Sequence, residues 1–493
     1  MADLHVWVGL IAGWLLFAIF ITGAICFYRE EVSQWLRPEI PARPAYLDNT
    51  SMSERALASL TRLAPTSSQW QIWLPTDRSN VVEVAWQARE GRDRALLDPT
   101  TGQPLHPRDT QAGDFFYYFH FSLHYLPRLL GRWIVGLCAM LGLLAIVTGV
   151  IVHKRIFRDF FTFRWGKGQR SWLDAHNALS VCGLPFHAMI LYTGLVTLMF
   201  TYMPWGKDLA YPAQRNAAEL REVMTVTTTP MPASEPRTGP IEIAPMIQEA
   251  ARLWTDKEVH RIIVSNPGTS NAQVIISRGD NQRASVTPDY LVFDHASGSL
   301  LEHKKNVGAA SRTWAVFYAL HVGRFADGFA RLLYFVLSLT GAAMVATGMV
   351  LWTVKRGQKH KSTPSLGLRC VKKANVAAMA GLLIAVPAFF ITNRVLATDL
   401  PHRGDWEIHI FFLVWSLAVL HASTRRPSRA WTEQFLLAAL LFASIPFVNA
   451  FMTSRGFLKS VAHHDWLFTA FDGAFIVLAL VLCLTARRMW PRS

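Results

Sequence analysis

A chain of 493 residues that is 51% hydrophobic, with a mean hydropathy of +0.22, is too apolar for an ordinary soluble enzyme and too mixed to lie wholly within a membrane. Its formal net charge of +15 would suit nucleic acid, but the basic residues fall in separate clusters between apolar runs, which argues against nucleic acid as a partner. The five cysteines are scattered with no CxxC spacing, which excludes a disulfide framework and a thiolate cluster for zinc or iron–sulfur.

Eight apolar runs approach the roughly 20 residues of a bilayer crossing: 5–27, 131–152, 176–200, 332–354, 374–393, 406–422, 431–451 and 466–486. With their flanks they predict crossings over 1–27, 119–153, 174–200 and 319–356, then a four-helix bundle over 374–493. The first run reads as an anchor, since it lacks a basic leader and a small-residue cleavage site and continues into Phe27-Tyr28-Arg29-Glu30. Two polar segments, 28–118 and 201–318, are each long enough for a small domain. Basic residues crowd the loops 154–173 and 357–373, then Arg425, Arg426 and Arg429, then Arg487, Arg488 and Arg492. Eight alternating crossings put all of these on one side. By the positive-inside rule that side is the cytoplasm, so both termini are cytoplasmic and both polar segments lie outside.

The chain repeats itself. His5 is followed seventeen residues later by Thr22-Gly23, and His176 seventeen residues later by Thr193-Gly194. Each of these crossings opens into a polar segment with one helical pattern ("SERALASLTRLA", "APMIQEAARLW") and alternating strands ("QIWLP", "VVEVAW"; "RIIVS", "AQVIISR"). Each segment then carries a turn of the form Asp-x-x-x-Gly, at Asp98–Gly102 and Asp294–Gly298, where Asp caps and Gly takes the positive φ. An aromatic stretch ending in Leu-His follows, with His120 and His124 in the first copy and His321 in the second. The next crossings end alike, at Thr148-Gly149 and Thr347-Gly348. The expected architecture is a polytopic α-helical membrane protein with about eight crossings. Two small α+β outer domains are inserted in a duplicated helix–domain–helix unit. The Thr-Gly pairs are read as points of close helix packing, the Thr hydroxyl bonding back to its own helix.

Imidazoles at membrane depth are rarely idle. The repeat supplies two pairs, His5 with His176 near the cytoplasmic face and His124 with His321 at the outer mouths. Paired imidazoles between helices suit the two axial positions of an iron porphyrin in an apolar slot. Gly9, Gly13, Gly23, Gly183 and Gly194 would thin the helices around a macrocycle. His187, eleven residues after His176, returns to nearly the same helix face at about 100° per residue and lies roughly 16 Å deeper, as a relay of two cofactors would require. His120 is an alternative to His124, or its hydrogen-bonding support.

The stretches "LHVWVGLIAGWLLFAIFITG", "DAHNALSVCGLPFHAMILYTG", "DPTTGQPL", "DHASGSLL", "LHVGRF" and "MVATGMVLW" resemble the PepSY-associated transmembrane family, over roughly residues 1–356. The four further crossings resemble a longer subtype. This resemblance implies PepSY folds for the outer domains and haem b, two per chain, among the first four crossings. It carries the axial positions onto His5, His124, His176 and His321, with His187 a further candidate. It implies an inner-membrane, haem-dependent ferric-siderophore reductase for iron uptake. Electrons would come from quinol or a cytoplasmic reductase, cross the membrane by the inner and outer haems, and reach a ferric chelate outside. No GxGxxG turn or Walker motif is present, so nicotinamide or flavin chemistry would belong to a partner. Two other readings compete: a non-catalytic PepSY membrane protein that binds or regulates an outer partner, and a siderophore or metal transporter. The scarcity of acidic residues in the crossings weighs against an ion path.

Overall fold

The computed structural model describes residues 1–43, 48–88, 91–153, 163–164, 166–203, 234–236, 239–254, 259–281, 283–305, 308–359 and 365–489. The basic loop over 154–162 and the stretch 204–233 of the second polar segment lie outside the described residues. In chain order, α1 (Ala2–Cys26) and α2 (Arg29–Trp35) precede α3 (Asn49–Leu63) and strands β1 (Gln69–Trp73), β2 (Val82–Ala88), β3 (Gly91–Leu97) and β4 (Pro104–Leu105). Next come α4 (Ala112–Ser122), α5 (Arg128–Val152), α6 (Gln169–Cys182), α7 (Leu184–Thr197) and α8 (Met199–Tyr202). The second polar segment holds α9 (Ile243–Leu253), β5 (Val259–Ser265), β6 (Gln273–Arg278), β7 (Tyr290–Asp294), β8 (Leu300–Lys304) and α10 (Ala309–Val322). The chain closes with α11 (Gly328–Lys359), α12 (Leu366–Asn375), α13 (Gly381–Val395), α14 (Arg403–Thr424), α15 (Pro427–Met452), α16 (Phe457–Ala462) and α17 (Trp466–Met489). These elements form two compact units, one of Met1–Pro38, Arg108–Tyr202 and Asp327–Ser493, the other of Glu39–Pro107 and Met203–Ala326.

Among the described residues of the helical unit, seven helices are long and apolar enough to cross a membrane: α1, α5, α11, the run Leu366–Val395, α14, α15 and α17. α6 and α7 pass the same test only together and are bent by 68° at the break between them, so the count is eight if the pair is one span. The bend follows from Gly183-Leu184-Pro185. Pro185 stands in the first turn of α7, where its missing N–H costs nothing, but it cannot continue the ladder of α6. This corrects the helical-phase argument for His176 and His187, which assumed one straight helix. α1 packs against α5, α11 and α4, while α6 packs on α11 and α7 on α5. The duplicated helices therefore interlock.

The helical unit also takes in both ends of the segment expected to be the first outer domain. Trp35 at the end of α2 is fully buried against Phe390, Phe468, Phe471 and Phe475. Phe115 of α4 stacks on Phe389 and Phe116 meets the same ring edge-on, each at 5.1 Å. These aromatic side chains draw residues 29–38 and 108–122 into the bundle and leave 39–107 for the other unit. The expected crossing over 119–153 is likewise broken into α4 and α5.

In the second unit the two polar segments do not form separate sheets. Their strands make one antiparallel eight-stranded sheet in the order β4-β3-β2-β1-β5-β6-β7-β8. The seam is β1 against β5, with Ile72 opposite Ile262 and Trp70 opposite Val264. Alternation sends Trp70, Ile72, Val84, Ile262, Val264 and Ile276 into a core closed by Met52, Leu60, Met246 and Ala250 of α3 and α9. The two halves are copies joined edge to edge, which removes an open edge from each. Both turns have the predicted geometry: Gly102 (φ +69°) and Gly298 (φ +67°) donate backbone N–H to the carbonyls of Asp98 (2.8 Å) and Asp294 (2.9 Å).

Candidate functional site

The structure brings His5 and His176 together. Their ring centroids are 6.3 Å apart with planes at 64°. His5 Nδ1 lies 2.9 Å from the Ala145 carbonyl of α5, and His176 Nδ1 lies 2.9 Å from the Met344 carbonyl of α11. A carbonyl only accepts, so each Nδ1 carries the proton and each Nε2 keeps the lone pair. Two helices thus fix the tautomer and orientation of two neighbouring rings.

That spacing can be compared with what a haem needs. A metal–imidazole nitrogen bond is about 2 Å and the ring centre stands roughly 1.1 Å behind the nitrogen, so two axial imidazoles place their centroids about 6.2 Å apart. The residues present fit: the separation matches, and both rings keep Nε2 as the lone-pair nitrogen. Among the described residues no group of three or more His, Cys, Asp or Glu side chains is gathered to hold a bare metal ion. What the bundle brings together is one pair of imidazoles, His5 and His176.

The glycines differ in what they lie against. A Cβ at Gly13 would stand 2.5 Å from Met349 Sδ, and one at Gly9 would meet nothing within 4 Å. Gly13 thus marks a close helix contact. Gly149 and Gly348 instead lie under imidazoles, where a Cβ would stand 3.1 Å from His5 Cε1 and 3.0 Å from His176 Cε1. The Thr hydroxyls bond back to their own helices as predicted, Thr148 to the carbonyls of Leu144 and Ala145, Thr347 to those of Ala343 and Met344. Their packing partner is a histidine.

His120 has the same setting on α1. Its Nδ1 is 2.9 Å from the Ile19 carbonyl, Thr22 donates to Ala18 and Ile19, and a Cβ at Gly23 would stand 2.7 Å from His120 Cε1. His124 is placed otherwise. It follows α4 between two residues of positive φ, Leu123 and Tyr125, and stacks on Phe412 at 5.7 Å. Burial, with His409 beside it, holds the His124 imidazole below its usual range. His321 lies in the last turn of α10, in the second unit.

His187 is fully buried at the bend. Its Nε2 is 3.1 Å from the Leu337 carbonyl and 3.3 Å from Thr340 Oγ1 of α11, and Nδ1 has no hydrogen-bond partner. Its ring folds back over Gly183, where a Cβ would stand 2.3 Å from Cε1. Phe20 and Phe186 wall it at 5.9 and 6.1 Å. A buried imidazole with an unshared nitrogen also fits an axial position.

Three features escaped the sequence reading. Thr340-Gly341 repeats the Thr-Gly pattern seven residues before Thr347-Gly348, a spacing that keeps both on one face of α11. Asn375 accepts from Trp14 Nε1 at 2.9 Å and donates to the Met349 carbonyl at 3.3 Å, which joins the C-terminal helices to α1 and α11 beside Gly348. Arg403 and Glu407 form a fully buried ion pair at 2.7 Å.

The sequence profile of the PepSY-associated TM region matches residues 2–355. An uncharacterized protein of Pseudomonas aeruginosa is 26% identical over 321 residues, which cover 59% of this chain and 75% of that protein.

Proposed function

The chain belongs to the PepSY-associated transmembrane family, and from that premise we propose that it is a haem-dependent reductase of the bacterial inner membrane. It passes electrons across the membrane to a ferric siderophore on the periplasmic side, and the released Fe(II) is taken up. The observation that carries this reading is the His5–His176 pair, 6.3 Å apart with both Nδ1 atoms held by carbonyls.

In this reading His5 and His176 would hold one haem b by their Nε2 atoms, which the Nδ1–carbonyl contacts leave as the lone-pair nitrogens. His187, His120, His124 and His321 are the residues from which a second set is drawn. Bound haem would supply one-electron transfer through a layer that has no charge carriers of its own. The chain's part is to fix the rings and keep water out. α1 packs against both α5 and α11, and the two rings are half-buried among these helices. Fe(III) gains one electron and becomes Fe(II), which a hard oxygen chelate holds far more weakly. The electron comes from quinol or from a cytoplasmic reductase. The sheet unit lies on the periplasmic side and meets the chelate there.

The test is optical and chemical together. Protein purified from haem-replete cells should show a reducible Soret band, and vesicles loaded with a quinol should reduce an external ferric siderophore, read with an Fe(II) indicator. Colourless protein would leave the reading without support and would favour a binding or transport role.

A further inference from the structure

We infer that the Thr-Gly pairs are imidazole-docking elements, and that Gly149 and Gly348 are positioning residues for His5 and His176. The inference rests on the haem reading above, and adds how the chain aims its ligands.

The argument starts from helix geometry. In an α-helix each side chain leans toward the N-terminus and covers the turn before it. The carbonyl four residues before a given position is therefore shielded by that position's side chain. A glycine uncovers it. In each described docking the accepting carbonyl lies four residues before the glycine: Ala145 before Gly149 and Met344 before Gly348. The same register holds for Ile19 before Gly23 under His120; Leu337, which His187 meets by Nε2, also lies four residues before a glycine, but a Cβ at Gly341 would meet Phe20 and not the imidazole. That carbonyl already accepts its own helical N–H and takes the imidazole as a second donor. The threonine one residue before the glycine puts its hydroxyl on the same oxygen: 3.2 Å for Thr148 to Ala145 and 2.9 Å for Thr347 to Met344.

Two consequences follow. First, the glycine sets how closely the ring approaches. A Cβ at 3.0–3.1 Å from Cε1 would push each imidazole outward by a few tenths of an ångström, enough to strain an axial bond. Second, the threonine tunes the acceptor. Removing its hydroxyl leaves the carbonyl a stronger acceptor for Nδ1–H. The ring then becomes more electron-donating through Nε2, and the midpoint potential of the iron falls.

The experiment compares Gly149→Ala, Gly348→Ala and the control Gly473→Ala in α17, whose Cβ meets open space away from every candidate histidine. Each is purified as the full chain from haem-replete cells, and haem per chain, ferric spin state and midpoint potential are measured. Gly149→Ala and Gly348→Ala should lose low-spin character or haem at one site, with Gly473→Ala unchanged. The near-isosteric Thr148→Val and Thr347→Val keep the packing. They should retain haem and lower the midpoint potential, and they decide the matter if an alanine variant fails to accumulate. Wild-type spectra and potentials in all four Gly149, Gly348, Thr148 and Thr347 variants would overturn the inference while leaving the haem reading intact. Wild-type protein without haem would overturn both.

Discussion

Arg403 and Glu407, one turn apart in α14, pair at 2.7 Å with neither side chain exposed. Glu407 also accepts from Thr110 Oγ1 at 2.6 Å and Asn393 Nδ2 at 2.7 Å, and Arg403 donates to the Asp109 carbonyl at 2.8 Å. The pair thus fastens the C-terminal helices to the residues that lead into α4. Beside it, Arg394 lies 3.8 Å over the Trp35 ring and donates to the Trp35 carbonyl at 2.5 Å. A buried charge that loses its partner is costly, on the order of 3–5 kcal/mol. Glu407→Ala should therefore lower the melting temperature of the detergent-solubilised protein by several degrees. Thr110→Val removes one hydrogen bond and should cost about 1 kcal/mol. An unchanged melting temperature in Glu407→Ala would mean that the pair contributes nothing to the joint.

The seam between β1 and β5 makes the two polar segments one folding unit. Ile262 sits in a central strand opposite Ile72. Proline there removes a ladder donor and should open both halves of the sheet together. Proteolysis of Ile262→Pro should cut in both segments with the same denaturant midpoint. Cleavage confined to the second segment would show two independent domains.

The two turns carry a pH signature. Hydrogen bonds from Ser297 hold the Asp294 carboxyl below the usual carboxylate range. At Asp98 burial pushes the carboxyl up, and donors from Thr100 and Thr101 outweigh it. A depressed carboxyl stabilises the fold above its unfolded pKa of about 3.9, and that stabilisation is lost as pH falls through the lower folded value. Asp294→Ala should melt earlier than the parent at pH 7, and the gap should narrow below about pH 4. A gap that stays constant into acid would remove the carboxylate charge as its cause.

His120 and His124 separate in the structure, and their variants should separate too. The His120 imidazole is docked on Thr22-Gly23 in the register of His5 and His176, while His124 stacks on Phe412 outside that register. His120→Ala should change the haem spectrum or content, and His124→Ala should leave both as in the parent. The reverse pattern would return the outer ligand to His124.

How much of this the sequence discloses depends on the range of each interaction. Strand alternation and Asp-x-x-x-Gly turns are local, so β1, β2, β5, β6 and both turns are legible in it. The seam joins Ile72 to Ile262, and no local pattern announces a pairing across that distance. Pro185 was visible, yet helical phase was carried straight through it from His176 to His187. The Thr-Gly pairs were conspicuous as repeats, but what docks on them comes from another helix. Arg403 and Glu407 show the spacing of an ion pair on a helix surface. Only Thr110 and Asn393, distant in the chain, reveal that the pair is buried.

The most direct measurement is haem per chain in His176→Ala against the parent, with expression and sheet folding checked alongside. His176 has His5 as its partner ring and the Met344 carbonyl as its anchor. The account predicts normal accumulation, the loss of about one haem equivalent, and a matching loss in His5→Ala. Full haem content in both variants, with unaltered low-spin spectra, would contradict it.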